Sequence, residues 1–331
     1  MIFLKMLVCA ILLGWELEIF SENKTIYIVP IGGDKGYFGD PHYSRDEVAR
    51  PFYELKKSLE DRGYSVKFTM DGANLTDFAG LIAFNDVNQN LLHNILSYDK
   101  SKCLLFLFEP PVVMPSLHNQ SFAQWFGKVF VMFDGYVNTL YKFYYPQPRK
   151  CMIDGIPTFA RKKFCVMING NKDFYSSNAL YAERRKVIQF FQAKLSEDFD
   201  LYGPDWHGYA SWRGSVKSKW ETLKNYKFCI CYENMGNQLG FITEKIFDCL
   251  VAGCVPVYLG ASNITDYVPA ACFIDRRNFT SDEELYAFLK NISEKRYKQY
   301  LDNITQYFKS PQAHLFSIDN FINTIAQGLG L

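Results

Sequence analysis

Residues 226–260 read YKFCICYENMGNQLGFITEKIFDCLVAGCVPVYLG, and this stretch decides the fold class. Tyr226–Tyr232 is an almost unbroken apolar run, the pattern of a strand covered on both faces in a parallel sheet. A polar, glycine-bearing loop runs from Met235 to Gly240. Thr243 stands where a helix N-cap belongs, Glu244-Lys245-Ile246 opens the helix, and Gly253 closes it. Val255–Leu259 is the next apolar strand. Strand, loop, helix and strand in succession form the unit of a doubly wound parallel sheet.

Lys245 falls in the first turn of that helix, where the dipole disfavours a cation by roughly 0.3–1 kcal/mol. A lysine there becomes favourable when an anion joins it. Free backbone N–H groups, the dipole and the ammonium would together hold a phosphate. The plain alternative is a solvated lysine at a tolerated position. Glu244 suits the dipole as it stands, and its functional alternative is to accept ribose hydroxyls.

Working outward, the same alternation fills the chain. Strands are expected at Thr25–Ile31, Ser65–Thr69, Leu81–Phe84, Lys102–Phe108 and Lys128–Phe133, with helices over Asp46–Arg62 and Asn88–Leu96. Tyr144 to Pro157 reads as a connector. Beyond it, strands are expected at Lys163–Asn169 and Phe199–Gly203, a helix over Leu180–Leu195, and mostly helix from Ser281 to Gln327. The reading is α/β, with two Rossmann-like doubly wound domains facing a cleft. The expected boundaries are an apolar segment over 1–22, a first domain over 23–150 and a second over 151–331.

The 331 residues carry 36 Lys and Arg against 35 Asp and Glu, so the near-neutral balance excludes a strongly basic nucleic-acid binder. No P-loop pattern occurs, and the five His have no metal spacing. Aromatic residues reach 17%, which suits a thick core or a sugar-binding cleft equally. Nine Cys, several inside apolar runs, read as buried thiols rather than a zinc site. Cys229 and Cys231 should share one strand face. Asp198-Phe199-Asp200 spells an Asp-x-Asp triplet of the kind that can hold a metal, but a surface turn is the expectation.

Met1 to Gly14 is apolar except for Lys5, which is short for a membrane span. Sequons at Asn23, Asn74, Asn119, Asn263, Asn278, Asn291 and Asn303 would fit a lumenal protein. Membrane association through a signal-anchor is the expectation, with a cytoplasmic location as the alternative.

Residues 226–258 resemble the signature of the α1,3-fucosyltransferase family, which uses GDP-fucose. The resemblance rests on Tyr226-Lys227-Phe228, Glu233-Asn234, Gly240-Phe241-Ile242-Thr243-Glu244-Lys245 and Val255-Pro256-Val257-Tyr258-Leu259-Gly260. It continues through Asp266-Tyr267-Val268-Pro269 and Phe273-Ile274-Asp275, and upstream over roughly Phe164 to Gly203. It implies a GT-B fold, with the donor nucleotide in the C-terminal domain and inversion at the fucose C1. It implies that Lys245 binds phosphate, that Glu244 binds ribose and that Asn234 and Thr243 lie at the nucleotide site. Phe241 stands where some members carry Tyr and lacks the phenolic hydroxyl. A diphosphate-clamping Arg is implied in Glu183-Arg184-Arg185-Lys186-Val187-Ile188, where Arg184 fits the spacing better than Arg185. A helix face of solvated bases is the plain alternative.

Direct displacement at an anomeric carbon also needs a base on the face opposite the leaving group. Glu109 ends the apolar run Cys103–Phe108 and precedes Pro110-Pro111, a place where a carboxylate can face a cleft and be partly desolvated. Its alternatives are capping a helix or pairing with a Lys. The expected activity is fucose transfer from GDP-fucose to a hydroxyl, the 3-OH of a GlcNAc- or glucose-type residue, on an oligosaccharide or glycoconjugate. No cofactor is required in this reading, although a divalent metal could stimulate. The alternatives are a GT-B transferase using another nucleotide sugar, or a non-catalytic nucleotide- or glycan-binding module.

Overall fold

The computed structural model describes residues 24–134, 140–194 and 198–331. The apolar segment expected to anchor the chain, and the Asn23 sequon, lie outside the described residues. Among the described residues no helix is long and apolar enough to cross a membrane.

Two all-parallel sheets organise the chain. The first contains β1 (Thr25–Val29), β2 (Ser65–Phe68), β3 (Phe78–Phe84), β4 (Cys103–Leu107), β5 (Lys128–Val131) and β6 (Leu140–Lys142), in the order β2-β1-β3-β4-β5-β6. The second contains β7 (Lys163–Ile168), β8 (Phe199–Tyr202), β9 (Tyr226–Tyr232), β10 (Val255–Leu259) and β11 (Ile274–Asp275), in the order β11-β10-β9-β7-β8. Each sheet therefore repeats the doubly wound order 2-1-3-4-5, which reverses beside its first strand. Strands such as β4, buried at every position, are apolar because helices cover both faces. Cys229 and Cys231 do share a face, turned toward Cys249 of the helix Glu244–Val251.

The aromatic excess mostly fills the first core. Phe106 and Phe130 stack at 4.3 Å between centroids, and Phe52, Phe84, Phe108, Phe143 and Phe321 crowd around them. Phe321 comes from the last helix, Ile318–Leu329, which packs on the first sheet through Phe321, Ile325 and Leu329. Lys128 Nζ donates to the Gly328 carbonyl at 2.9 Å and Lys102 Nζ to that of Leu329 at 2.5 Å, two cations at the negative end of the helix. The expected boundary, which put everything from 151 to 331 in the second domain, is corrected here. An amphipathic stripe declares a buried face but not which sheet buries it.

A second correction falls at residues 45–49. The helix expected from Asp46 begins at Arg50, and Asp46 and Glu47 instead take positive φ of 56° and 55°. Such backbone costs about 1–3 kcal/mol per residue and persists only where surroundings over-determine it. Here the surroundings are the second domain and the connector. Asp46 accepts from Lys219 N at 2.7 Å and from the hydroxyl of Ser218, the N-cap of the helix Lys219–Leu223, so it reinforces that helix start across the domain boundary. Arg45 Nη1 donates to the Val216 carbonyl at 2.9 Å, and Glu47 pairs with Arg149 at 2.7 Å.

Asp134, just past β5, forms the other clasp. It accepts from Tyr267 Oη at 2.6 Å and Asn263 Nδ2 at 3.0 Å, and pairs with Lys142 at 3.0 Å. Gly240 (φ +68°) passes so close that a Cβ there would fall 2.4 Å from Lys142 Nζ. Asn263 also accepts from Gly240 N at 2.8 Å, so the amide of this sequon is committed to the fold.

Candidate active site

The two sheets present their carboxyl ends to one another across a cleft of about 470 Å³. Ile31 and Asn85 follow β1 and β3 into it, and Asn169 and Asn234 follow β7 and β9. These are the points where strand order reverses, the place such folds keep for ligands. Arg184, Asn234, Phe241, Thr243, Glu244, Lys245 and, from the opposite wall, Glu109 all line this cleft.

The second-domain wall is built on Glu233, whose side chain has no exposure at all. Its Oε1 accepts from Thr243 N at 2.9 Å and its Oε2 from Thr243 Oγ1 at 2.7 Å. Lys245 Nζ lies 3.2 Å from Oε2, 2.9 Å from Thr243 Oγ1 and 3.5 Å from Glu244 Oε1. Burial pushes the Lys245 ammonium down, but Glu233 and Glu244 overcome it and hold it above its ordinary value. Lys245 is thus not a solvated lysine. It is charged, mostly buried at 16% side-chain exposure, and aimed by a carboxylate beneath it. Thr243 caps the helix as expected, yet its hydroxyl is committed to Glu233 and Lys245, so it positions the lysine rather than reaching outward.

Glu244 lies 3.5 Å from both Lys245 and Lys219. Burial opposes its charge, but these two cations hold its carboxyl well below the usual range, so it faces the cleft as an acceptor for hydroxyls. Lys219 is itself held by Asp248 at 2.8 Å, and Asp248 also accepts from Trp220 Nε1 at 2.8 Å.

Arg184 is 3% exposed on the helix Tyr181–Lys194. Its Nη2 donates to the Tyr232 carbonyl at 2.8 Å and to Asn234 Oδ1 at 2.9 Å, while its Nε is buried with no hydrogen-bond partner among the described residues. Arg185, the alternative, points away and pairs with Asp173 at 2.9 Å. Asn234 therefore orients the arginine. Phe241, 1% exposed, belongs to the first domain's core and supplies an apolar wall. The floor near Asn169 requires Gly203 (φ +126°), where a Cβ would fall 2.0 Å from the Asn169 carbonyl oxygen. Trp206 also donates to that oxygen and is buried in the core.

Glu109 neither caps a helix nor pairs with a lysine: its carboxylate makes no hydrogen bond or ion pair to any described residue. Burial raises its pKa above the ordinary glutamate value, an effect that Lys245 partly offsets. Its backbone is fixed, because its carbonyl meets His118 Nε2 at 2.9 Å. Burial lowers the His118 pKa, an effect that the bond to the Glu109 carbonyl partly offsets.

Sequence reasoning passed over Glu233 and Lys219. Glu233 stood inside the quoted signature, and a carboxylate ending an apolar strand ten residues before Thr243 was its only signal. Lys219 had none, since its partners Glu244 and Asp248 meet it only through folding. Asp200 corrects the surface-turn expectation: it is buried and binds Lys163, Arg213 and Tyr226 at 2.9, 2.7 and 2.6 Å, away from the cleft. No group of His, Cys, Asp and Glu suited to a metal ion occurs among the described residues.

Comparison with known proteins matches residues 163–319 to the model of glycosyltransferase family 10 (fucosyltransferase), C-terminal part. The chain is 36% identical over 85 residues to an alpha-(1,4)-fucosyltransferase of Arabidopsis thaliana, covering 24% of this chain and 21% of that protein. It is 31% identical over 121 residues to human 4-galactosyl-N-acetylglucosaminide 3-alpha-L-fucosyltransferase 9, covering 36% and 32%. The matched stretches thus span a third or less of these relatives. Among solved structures, an alpha1,3-fucosyltransferase with GDP superposes with a TM-score of 0.56 at 15% identity, over 95% of this chain and 93% of that one. A DNA-modifying beta-glucosyltransferase gives 0.56 at 13% identity, over 93% and 100%. The fold is that of these GT-B transferases.

Proposed function

We propose that this chain, which belongs through residues 163–319 to glycosyltransferase family 10 (fucosyltransferase), transfers L-fucose from GDP-fucose to a sugar hydroxyl with inversion. The observation that carries the reading is the pairing of two opposed walls. One presents a buried Arg184 and a carboxylate-aimed Lys245; the other presents Glu109, raised in pKa and unpartnered. The acceptor oxygen attacks C1 as the bond from C1 to the diphosphate breaks. Its proton passes to Glu109, and the charge growing on the departing GDP meets Arg184 and Lys245. Glu244 receives ribose hydroxyls. The acceptor is an oligosaccharide or glycoconjugate bearing a GlcNAc- or glucose-type 3-OH. Because both cations are side chains, transfer should continue after dialysis against a chelator.

The test is transfer of labelled fucose from GDP-fucose onto an array of oligosaccharides, with UDP-glucose as the control donor. Labelled product from GDP-fucose that disappears in Glu109→Gln supports the reading. Transfer from UDP-glucose alone would replace it with another nucleotide-sugar enzyme, and GDP binding with no product on any acceptor would make the chain a binding module.

A further inference from the structure

A second pocket, of about 180 Å³, opens where the chain crosses between the domains. Both crossings meet there. Gln147, on the way out, donates its backbone N–H to the Phe316 carbonyl at 2.7 Å, on the way back. Phe247, two residues after Lys245 on the same helix, forms part of the wall.

The pocket lining contains donors that the fold leaves unused. Tyr307 is 2% exposed and Gln147 is 5% exposed, yet the Tyr307 hydroxyl and the Gln147 side-chain nitrogen have no hydrogen-bond partner among the described residues. Arg149 Nε is buried and unpartnered as well. Buried polar groups are nearly always paired, so three residues of one lining that each carry an unpaired donor call for an external acceptor. Arg149, Lys150 and Lys309 contribute to the lining and no acidic side chain does; Arg149 pairs through Nη2 with Glu47 at 2.7 Å and Lys150 with Asp319 at 2.8 Å, which leaves Lys309 without an ion pair and Arg149 with its Nε unused. Phe247 and Phe316, with ring centroids 4.5 Å apart, give an apolar face beside these donors. At about 30 Å³ per water the space equals roughly six waters, too little for a nucleotide sugar.

We propose that this pocket binds a monosaccharide-sized molecule carrying one anionic group. Its ring lies against the phenylalanines, its hydroxyls accept from Gln147 and Tyr307, and its phosphate or carboxylate meets Lys309 and Arg149. The site is separate from the cleft, and the inference stands whether or not the chain transfers fucose.

Calorimetry of the full chain with glucose 1-phosphate, glucuronate, glucose and inorganic phosphate tests it. Binding by glucose 1-phosphate or glucuronate is expected, at least tenfold tighter than by glucose or phosphate; the stronger of the two identifies the anion. Tyr307→Phe and Gln147→Met remove donors that the fold does not use. Each should weaken that binding at least fivefold while the melting temperature of the free protein holds or rises. Lys309→Glu should abolish it. The proposal is overturned if neither charged sugar binds, if phosphate or glucose binds equally well, or if the Tyr307 and Gln147 variants keep full affinity.

Discussion

Lys245 gives the sharpest test of how the cleft is built. Replacing it by Met leaves Glu233, which has no solvent exposure, without the cation 3.2 Å away. Removing one partner of a buried ion pair costs about 3–5 kcal/mol, because the charge left behind is uncompensated. Glu233 keeps its two bonds from Thr243, at 2.9 and 2.7 Å, and bonds to a charged group contribute about 1.5–3 kcal/mol each. The expected loss for Lys245→Met is therefore at the lower end, about 3 kcal/mol. Converting Glu233 to Gln in that background removes the stranded charge while one Thr243 bond can persist. The double variant should be more stable than Lys245→Met alone by about 1–2 kcal/mol, whereas Glu233→Gln alone should destabilise, so the coupling is that gain plus the cost of Glu233→Gln in the wild-type background. Urea unfolding of the four proteins of the cycle measures it, with GDP binding as a second readout. Affinity for GDP should stay lost in the double variant although stability returns, which separates the lysine's hold on the ligand from its hold on Glu233. Additive single effects, or a double variant less stable than Lys245→Met, would refute the argument.

Glu109→Gln should lower turnover about 10²–10⁴-fold, the range for a lost general base, with GDP affinity unchanged. Its raised pKa sets two signs. The acid limb of kcat/KM should fall above the ordinary glutamate value. Wild-type stability should also decline as pH rises from that ordinary value through the raised one, because the folded state holds the proton more tightly than the unfolded chain. The variant should thus melt higher than wild type above that window and equally below it. Arg184→Met should weaken GDP binding at least tenfold, whereas Arg185→Met, which breaks only an outward pair with Asp173, should change it less than twofold by calorimetry. Asp46→Ala removes the carboxylate that accepts from Lys219 N and Ser218 at the start of the helix Lys219–Leu223 and should cost about 1 kcal/mol in thermal unfolding; because Lys219 borders Glu244, it should also raise the KM for donor more than it lowers kcat.

Much of this was legible in the sequence because the doubly wound pattern is local. Apolar runs such as Cys103–Leu107 and Tyr226–Tyr232, each followed by a turn and a capped helix, fix both the sheets and the ends that face the cleft. Lys245 and Glu244 were legible for the same reason: a helix start declares its own electrostatics. What escaped depends on contacts between distant segments. The helix Ile318–Leu329 shows a stripe but not its partner sheet, and Lys219 meets Glu244 only in the folded chain. Asp46 and Glu47 look like an ordinary helix start, and only the second domain explains their left-handed backbone. Arg184 and Arg185, adjacent in sequence, were separated by which of them the helix turns toward Asn234.

The central claim is that the cleft holds a guanosine diphosphate between Arg184 and Lys245. Thermal unfolding with GDP or UDP, each at a hundred times the Kd calorimetry gives for GDP, tests it most directly. Binding at that excess adds about 2.7 kcal/mol, and at about 2–4 °C per kcal/mol GDP should raise the melting temperature by about 5–10 °C, with UDP well behind and the shift gone in Arg184→Met. Equal shifts from both nucleotides, or a GDP shift that survives in Arg184→Met, would contradict it.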